Sequence, residues 1–476
     1  MKTPAKHTSK KNVSRDPKPH RHSHKQQAPQ NSKPHKQTRK RHAAKQRTTS
    51  GCYFCPQAKQ CGACPEITVP YPEQLKRKQA YLNDLFAELY TPQTHVYAIA
   101  GMDNPVHYRN KVIPPFAPAK HGNKKLQNKQ SKQRGAASTR PEILTGMYAR
   151  GTHRLITTDG CLVENKTANK IVQVIRAIMS KYHMEPYNED TGEGFMRHVV
   201  VRVGHTSNEV LVTLVTNKDE FKGAKNFCRE LVARVPKITT IVQNVNTRQT
   251  NVILGDGIER TLYGPGFILD SLCGVSFRIS SHSFYQVNAI QTEVLYERAL
   301  EMAHLTPGDT IIDAYCGTGT IGLAAAAHLE RKEANSEVNS ETDSDIQTAS
   351  QTRVLGVDSV ASAIHDAREN AAHNGITSAE FVCADAGDYL RDLAQHNESV
   401  DVVFMDPPRS GSSKEFLEAL ITLQPKRVVY ISCNPKTQQR DAHMLCDAGY
   451  VITEAQGVDM FPHTDHIEHI ITLERR

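Results

Sequence analysis

Cys433 stands just beyond an apolar run, Arg427-Val428-Val429-Tyr430-Ile431, and is followed by Asn434 and Pro435, which stop the run. A structural thiol belongs inside such a strand. This one stands at its exit, where open α/β sheets meet their ligands, so it is a candidate nucleophile. Near the C-terminus, FPHTDHIEHI places Glu468 just ahead of a last apolar strand, as a candidate general base. His463 and His466 in that stretch read as metal-binding or solvated side chains.

Two further motifs supply a place for a co-substrate. Asp313-Ala-Tyr-Cys-Gly317-Thr-Gly319-Thr-Ile-Gly322 sets a G-x-G-x-x-G at a strand-to-helix turn. Glycines there let a ligand approach the backbone at a helix N-terminus, a device NAD enzymes share. Asp313 before the glycines, suited to an ammonium group, favours S-adenosylmethionine. Asp358, at the end of the next strand, suits ribose hydroxyls and does not discriminate. Asp406-Pro407-Pro408-Arg409 forms a stiff, donor-poor turn at another strand exit. One thiol, one base and a methyl donor suit C5 methylation of uracil. Thiolate addition at C6 makes C5 nucleophilic, C5 takes the methyl group, and the base removes the C5 proton before the thiol leaves. The base must leave its stack, at a cost of a few kcal/mol that is least in single-stranded loops.

Cys55, Cys61 and Cys64 lie close together in CPQAKQCGAC, a spacing that points to a shared metal or cluster. Cys161 is the best distant fourth ligand and Cys52 the nearby one. Zinc, through Cys52-x2-Cys55 and Cys61-x2-Cys64, and a [4Fe–4S] cluster both fit that spacing.

The elements that must position these residues follow from periodicity. Strand and helix patterns alternate from about residue 270, which predicts a doubly wound, mostly parallel sheet over 269–476, with an acidic solvated loop at 330–352. MRHVVVRVG and EVLVTLVTN predict strands, and TANKIVQVIRAIMSKY a helix, in a smaller α/β region over 95–268. A helix is expected from Tyr71 to Leu89 within a cysteine-bearing segment, 51–94. Residues 1–50 hold 15 Lys/Arg against one acid, a surplus of 14 that leaves the rest of the chain at −5 of the total +9. With so little apolar surface, 1–50 is expected to be disordered. Together with a basic loop at 119–140, it points to a polyanion partner, RNA above all. No apolar run approaches the ~20 residues that cross a bilayer. The expectation is a cytoplasmic protein with no membrane contact and no obligate protein partner.

Taken together, CPQAKQCGAC (55–64), HYRNKV (107–112), the segment around Cys161, SFYQVN (283–288), DAYCGTGTIG (313–322), DPPRSG (406–411), SCNP (432–435) and FPHTDHIEHI (461–470) resemble the bacterial RNA uracil-5-methyltransferases. The likeness is to the 23S ribosomal RNA type that carries an iron–sulfur cluster, and it spans nearly the whole chain outside the tail. It implies a Rossmann-like, class I methyltransferase domain behind an RNA-binding central domain. It also implies Cys433 as nucleophile and Glu468 as base. Gln286, Tyr315, Thr320, Asp358, Asp385 and Asp406 match S-adenosylmethionine contacts, and Cys55, Cys61, Cys64 and Cys161 match [4Fe–4S] ligands. The chain departs from the pattern in three ways: it has a basic tail where many relatives have a small β-barrel, Thr320 stands where Asn is common, and Asp358 where Glu is common. A transfer-RNA uracil methyltransferase and a non-catalytic RNA-binding or assembly factor are the alternatives. The cysteine set weighs against the first and the Cys433–Glu468 pair against the second.

Overall fold

The computed structural model describes residues 52–119, 142–149, 151–339 and 351–476, with 334–339 as backbone only. The tail expected to be disordered, nearly all of the basic insert, and residues 340–350 of the acidic one lie outside the described residues.

A single helical turn, α1 (Ala58–Cys61), precedes α2 (Tyr71–Phe86) and β1 (His95–Ala100). The middle of the chain then forms β2 (Lys111–Val112), β3 (Phe116–Pro118), β4 (Ile143–Tyr148), β5 (Leu155–Thr157), α3 (Lys166–Lys181), β6 (Met196–Val203), β7 (Val210–Thr216), α4 (Ala224–Arg234), β8 (Ile238–Val245) and β9 (Glu259–Tyr263). The hairpin β10 (Ile268–Leu272) and β11 (Val275–Ile279) leads into α5 (Ala289–Ala303). The remainder runs β12 (Thr310–Ala314), α6 (Thr320–Asn339), β13 (Arg353–Asp358), α7 (Ala361–Asn374), β14 (Ala379–Cys383), α8 (Ala386–Gln395), β15 (Val402–Met405), α9 (Lys414–Leu423), β16 (Arg427–Ser432), α10 (Pro435–Asp447), β17 (Tyr450–Val458) and β18 (Glu468–Arg475).

Eight strands form the main sheet, in the order β1-β17-β18-β16-β15-β12-β13-β14. Only β18 runs against the others. The central strands are buried on both faces, which is why they read as unbroken apolar runs. After β14 the chain crosses back to the other side of β12, and this reversal opens a crevice at the carboxyl ends of the strands. The expected parallel architecture is therefore present.

The second sheet has the order β2-β6-β7-β8-β9, with α3 packed against β6. The amide side chain of Asn165 caps α3 by accepting from Thr167 N and Ala168 N. Ile171, Ile175 and Ile178 are spaced to bury one face of that helix. A small third sheet, β3-β4-β5, carries the basic insert between its first two strands.

Three boundaries differ from expectation. α2 ends at Phe86 rather than Leu89, with Ala87 as its C-cap. β1, placed by sequence in the central region, pairs in parallel with β17 at the edge of the main sheet. Periodicity cannot reveal that, because the partner lies some 350 residues away. The loop expected from residue 330 begins as helix, since α6 continues to Asn339. Glu330, Arg331, Lys332 and Glu333 favour helix although the stretch is polar.

Candidate active site

The strand register sets the thiol and the carboxyl face to face. β16 and β18 are antiparallel with Ser432 opposite His469, so the next step outward sets Cys433 opposite Glu468. Pro435 occupies the first turn of α10, where its missing N–H costs nothing. Cys433 thus sits just ahead of a 13-residue helix, whose N-terminal dipole favours a thiolate.

Electrostatics and geometry agree on which groups meet there. Burial raises the Cys433 thiol, and the Glu468 and Asp406 carboxylates raise it further. A side-chain hydrogen bond and the charge of Arg409 act in the opposite direction. Glu468 is 5% exposed. Burial, then the neighbouring Asp406, holds its carboxyl well above the usual range, with Arg409 opposing. Asp406, at the end of β15, is pushed up to about 7 by burial. The turn carrying Arg409 is tied to the thiol's own loop, because Arg409 O accepts from Asn434 Nδ2 at 2.8 Å and from Thr437 Oγ1 at 3.3 Å. Sequence reading gave the DPPR turn to Asp406 and its prolines and missed Arg409. A cation directly after a rigid turn, one strand from the thiol, was the available signal.

The glycine turn lies one strand further along. Gly317 has φ +54 and nothing within 4 Å of where a Cβ would stand, so its backbone is open to a ligand. Gly319 has φ +78, and a Cβ there would meet the Phe381 ring at 2.8 Å. Asp358 Oδ2 accepts from Gly317 N at 3.0 Å and Oδ1 from Val360 N at 2.8 Å, which fixes the carboxylate beside the turn with lone pairs to spare. Tyr315 holds a left-handed φ of +63, with its ring 5.0 Å from that of Phe416. The Thr320 hydroxyl meets Tyr296 Oη at 3.1 Å.

Asp313 departs from expectation. It is 1% exposed, and its Oδ2 accepts from Gly322 N at 2.7 Å. It braces the turn from beneath, Oδ1 is without a partner, and burial pushes the carboxyl up to about 7. Asp385 is exposed, and its Oδ1 caps α8 through Gly387 N and Asp388 N. Gln286, on the loop between β11 and α5, lines a recess with Lys111 and Arg202. The motifs along the chain are joined physically: Asn110 N donates to Val287 O, Tyr108 Oη to Pro462 O, and Arg109 N to Val163 O.

His463 is fully buried, with Nδ1 3.2 Å from Gln74 Nε2 and Nε2 2.8 Å from Pro105 O. It ties the C-terminal loop to the start of the chain rather than serving chemistry or a metal.

Cys55, Cys61, Cys64 and Cys161 converge. Burial, then the thiol of Cys161, pushes Cys64 up to about 12; Cys61 and Cys55 add to this, and Arg109 opposes it. Burial and then Glu164 push Cys161 up to about 11, with Cys55 contributing. Among the described residues, no three His, Cys, Asp or Glu side chains stand close enough to ligate one ion. The geometry therefore supports neither the zinc nor the iron–sulfur expectation for these cysteines.

Comparison with known proteins places the chain. A family model described as tRNA (uracil-5-)-methyltransferase matches residues 205–476, and the chain belongs to that family. It is 35% identical over 415 residues to an uncharacterized RNA methyltransferase of Oceanobacillus iheyensis, covering 87% of this chain and 81% of that one. It is 37% identical over 419 residues to one from Listeria monocytogenes, covering 88% and 83%. Among solved structures it resembles the Pyrococcus abyssi tRNA (uracil-54, C5)-methyltransferase in complex with S-adenosyl-L-homocysteine, with TM-score 0.64, 26% identity and coverage of 86% and 85%. No described helix is long and apolar enough to cross a membrane.

Proposed function

We propose that this protein is an S-adenosylmethionine-dependent methyltransferase that forms 5-methyluridine in 23S ribosomal RNA through a transient Cys433–uracil bond. The observation that carries the reading is the register that sets Cys433 opposite Glu468, with the turn of Arg409 bonded to the loop of the thiol.

S-adenosylmethionine, when bound, supplies an electrophilic methyl group. The open backbone at Gly317, the fixed carboxylate of Asp358 and the ring of Tyr315 offer it a seat, as the S-adenosyl-L-homocysteine held by the archaeal relative suggests. Gln286, Thr320, Asp385 and Asp406 complete the set carried over from the family. The Cys433 thiolate adds to C6 of the uracil, and the electron pair moves to C5. C5 takes the methyl group. Glu468, ionised, removes the C5 proton, the pair re-forms the C5–C6 double bond, and the C6–S bond breaks to return the thiolate. Arg409 helps Cys433 to reach the anionic form that begins the cycle.

Cys55, Cys61, Cys64 and Cys161 would hold a [4Fe–4S] cluster. It would fasten the N-terminal segment against the central region, where Cys64 and Cys161 pack with Tyr71, Tyr108 and Val163. Purified protein is expected to be brown and to contain iron, and Cys64→Ser to bleach it. A colourless protein holding one zinc removes the cluster from the reading. The likeness to a transfer-RNA enzyme supports a second reading, with tRNA as substrate and the same chemistry. Assays on separate rRNA and tRNA with wild type and Cys433→Ala decide. We expect 5-methyluridine in rRNA from wild type and none from the variant. Methylation of tRNA alone moves the assignment to the second reading, and normal activity of Cys433→Ala ends both.

A further inference from the structure

A recess between the second sheet and the loop carrying Gln286 brings together two cations that the mechanism leaves unused. Its free space, open solvent included, is about 230 Å³. Lys111 on β2 and Arg202 on β6 line it and stand directly opposite each other in antiparallel register. Like charges at such positions repel, and a fold keeps them only where something compensates. Among the described residues, no carboxylate forms an ion pair with either cation. Asp270 is the only acid in the lining, and its oxygens accept from the backbone N–H groups of His205, Thr206 and Ser207 at 2.8, 2.9 and 3.2 Å.

Arg202 is 4% exposed. Its Nη2 donates to Ser281 O and Ser283 O, while its Nε has no partner. The Tyr285 hydroxyl, in the same lining, also has none. Buried donors without partners cost about 1–3 kcal/mol each. An ordered water would answer the hydrogen bonds but not the paired positive charges. Burial, with Arg202 adding, pushes the Lys111 ammonium down to about 8, the response of a cation that lacks its counter-charge. The enclosed part has room for about one water-sized oxygen, so the ligand must insert one anionic oxygen from the mouth and keep the rest of itself outside.

We propose that Lys111, Arg202 and Tyr285 seat an anionic oxygen of one backbone phosphodiester of the RNA substrate. The assignment rests on the reading of this protein as an RNA methyltransferase. A phosphodiester fits because it presents single charged oxygens along a chain that passes over the mouth. Gln286 also lines the recess, so the phosphate seat and the expected methyl-donor site share one residue, and strand placement is coupled to donor placement.

The test is a salt titration of 23S rRNA binding by the full chain as wild type, Lys111→Gln and Lys111→Arg, with S-adenosylmethionine affinity measured in parallel. Loss of one phosphate contact in a single strand lowers the log–log salt slope by about 0.7. Lys111→Gln should show that drop with S-adenosylmethionine affinity unchanged, and Lys111→Arg should restore the slope. Weaker binding of S-adenosylmethionine by Lys111→Gln with an unchanged RNA slope would give the recess to the donor's carboxylate and overturn the proposal. An unchanged slope and unchanged donor affinity would overturn it too. Wild type that fails to bind RNA defeats the reading on which the proposal stands, whereas wild type that binds RNA with a slope equal to that of Lys111→Gln defeats the recess alone.

Discussion

Arg409 and Cys433 stand on loops tied together by the 2.8 Å bond from Asn434 Nδ2 to Arg409 O, and the Arg409 charge opposes the upward pull of burial, Glu468 and Asp406 on the thiol. In the proposed mechanism, addition to the pyrimidine needs the thiolate, so its first step would depend on the charge of Arg409. Arg409→Gln keeps much of the side chain's reach but removes the charge. Its thiol should alkylate with iodoacetamide along a pH profile displaced upward from wild type, and kcat/KM at neutral pH should fall by about 10²-fold. Equal alkylation profiles for the two proteins would show that Arg409 does not tune the thiol.

In the proposed role as base, Glu468 must lose a proton before it can accept one from C5. Burial and Asp406 hold its carboxyl well above the usual range, so the ionised fraction grows with pH. The methylation rate should therefore rise with pH on the acid side. Glu468→Gln leaves thiol addition and methylation possible but removes the base. A protein–RNA adduct that survives denaturing electrophoresis should accumulate while turnover falls by roughly 10²–10⁴-fold. Full turnover by this variant would assign the base elsewhere.

The same burial that primes these acids lowers the stability of the fold. Asp406 is neutral in the folded chain up to about 7, whereas unfolded Asp ionises near its ordinary value. Its contribution is fully present below the unfolded pKa and is lost as pH rises through about 7. Buried His469, pushed down to about 3, and His198, to about 4, act in the opposite direction, while Glu468 and Asp313, which Asp406 itself pushes up, act in the same one, so the test is the difference between variant and wild type. Asp406→Asn removes the penalty. Its unfolding free energy, minus that of wild type, should grow by about 2 kcal/mol between about pH 5 and pH 8. A difference that stays constant, or shrinks, would mean that Asp406 is ionised throughout.

What could be read from the sequence was what local pattern encodes. Gly317 and Gly319 announce a turn because only glycine tolerates their backbone, and Val428 to Ile431 announce a strand buried on both faces. Cys433 at the exit of that strand was legible because Pro435 marks where the next helix begins. The opposition of Cys433 and Glu468 was not, since it depends on β18 running backward between β16 and β17. Asp313 misled because an acid ahead of a glycine turn has the same spacing whether it faces a ligand or braces the turn. Lys111 and Arg202 are separated by some 90 residues, and each alone reads as an ordinary basic residue on a strand. His463 lies among chemistry-bearing residues, yet its hydrogen bonds to Gln74 and Pro105 make it a structural tie.

The N-terminal helix is held to the catalytic half by one buried ion pair. Lys78 Nζ lies 2.7 Å from Asp459 Oδ1, at 4% and 0% side-chain exposure, and also donates to His466 O at 2.8 Å. The Tyr71 hydroxyl donates to Asp459 Oδ2 at 2.8 Å. Asp459 stands at the end of β17, on the loop that leads to Glu468, so the clamp fixes the entry of the strand that carries the base. Removing one partner leaves an uncompensated buried charge, at a cost of roughly 3–5 kcal/mol. Lys78→Met should lose about that much in urea unfolding. Lys78→Met with Asp459→Asn should recover part of it, because no isolated charge remains. If the double variant is less stable than Lys78→Met by the full cost of a second independent loss, the two side chains do not act as a pair, and β18 takes its position from the sheet alone.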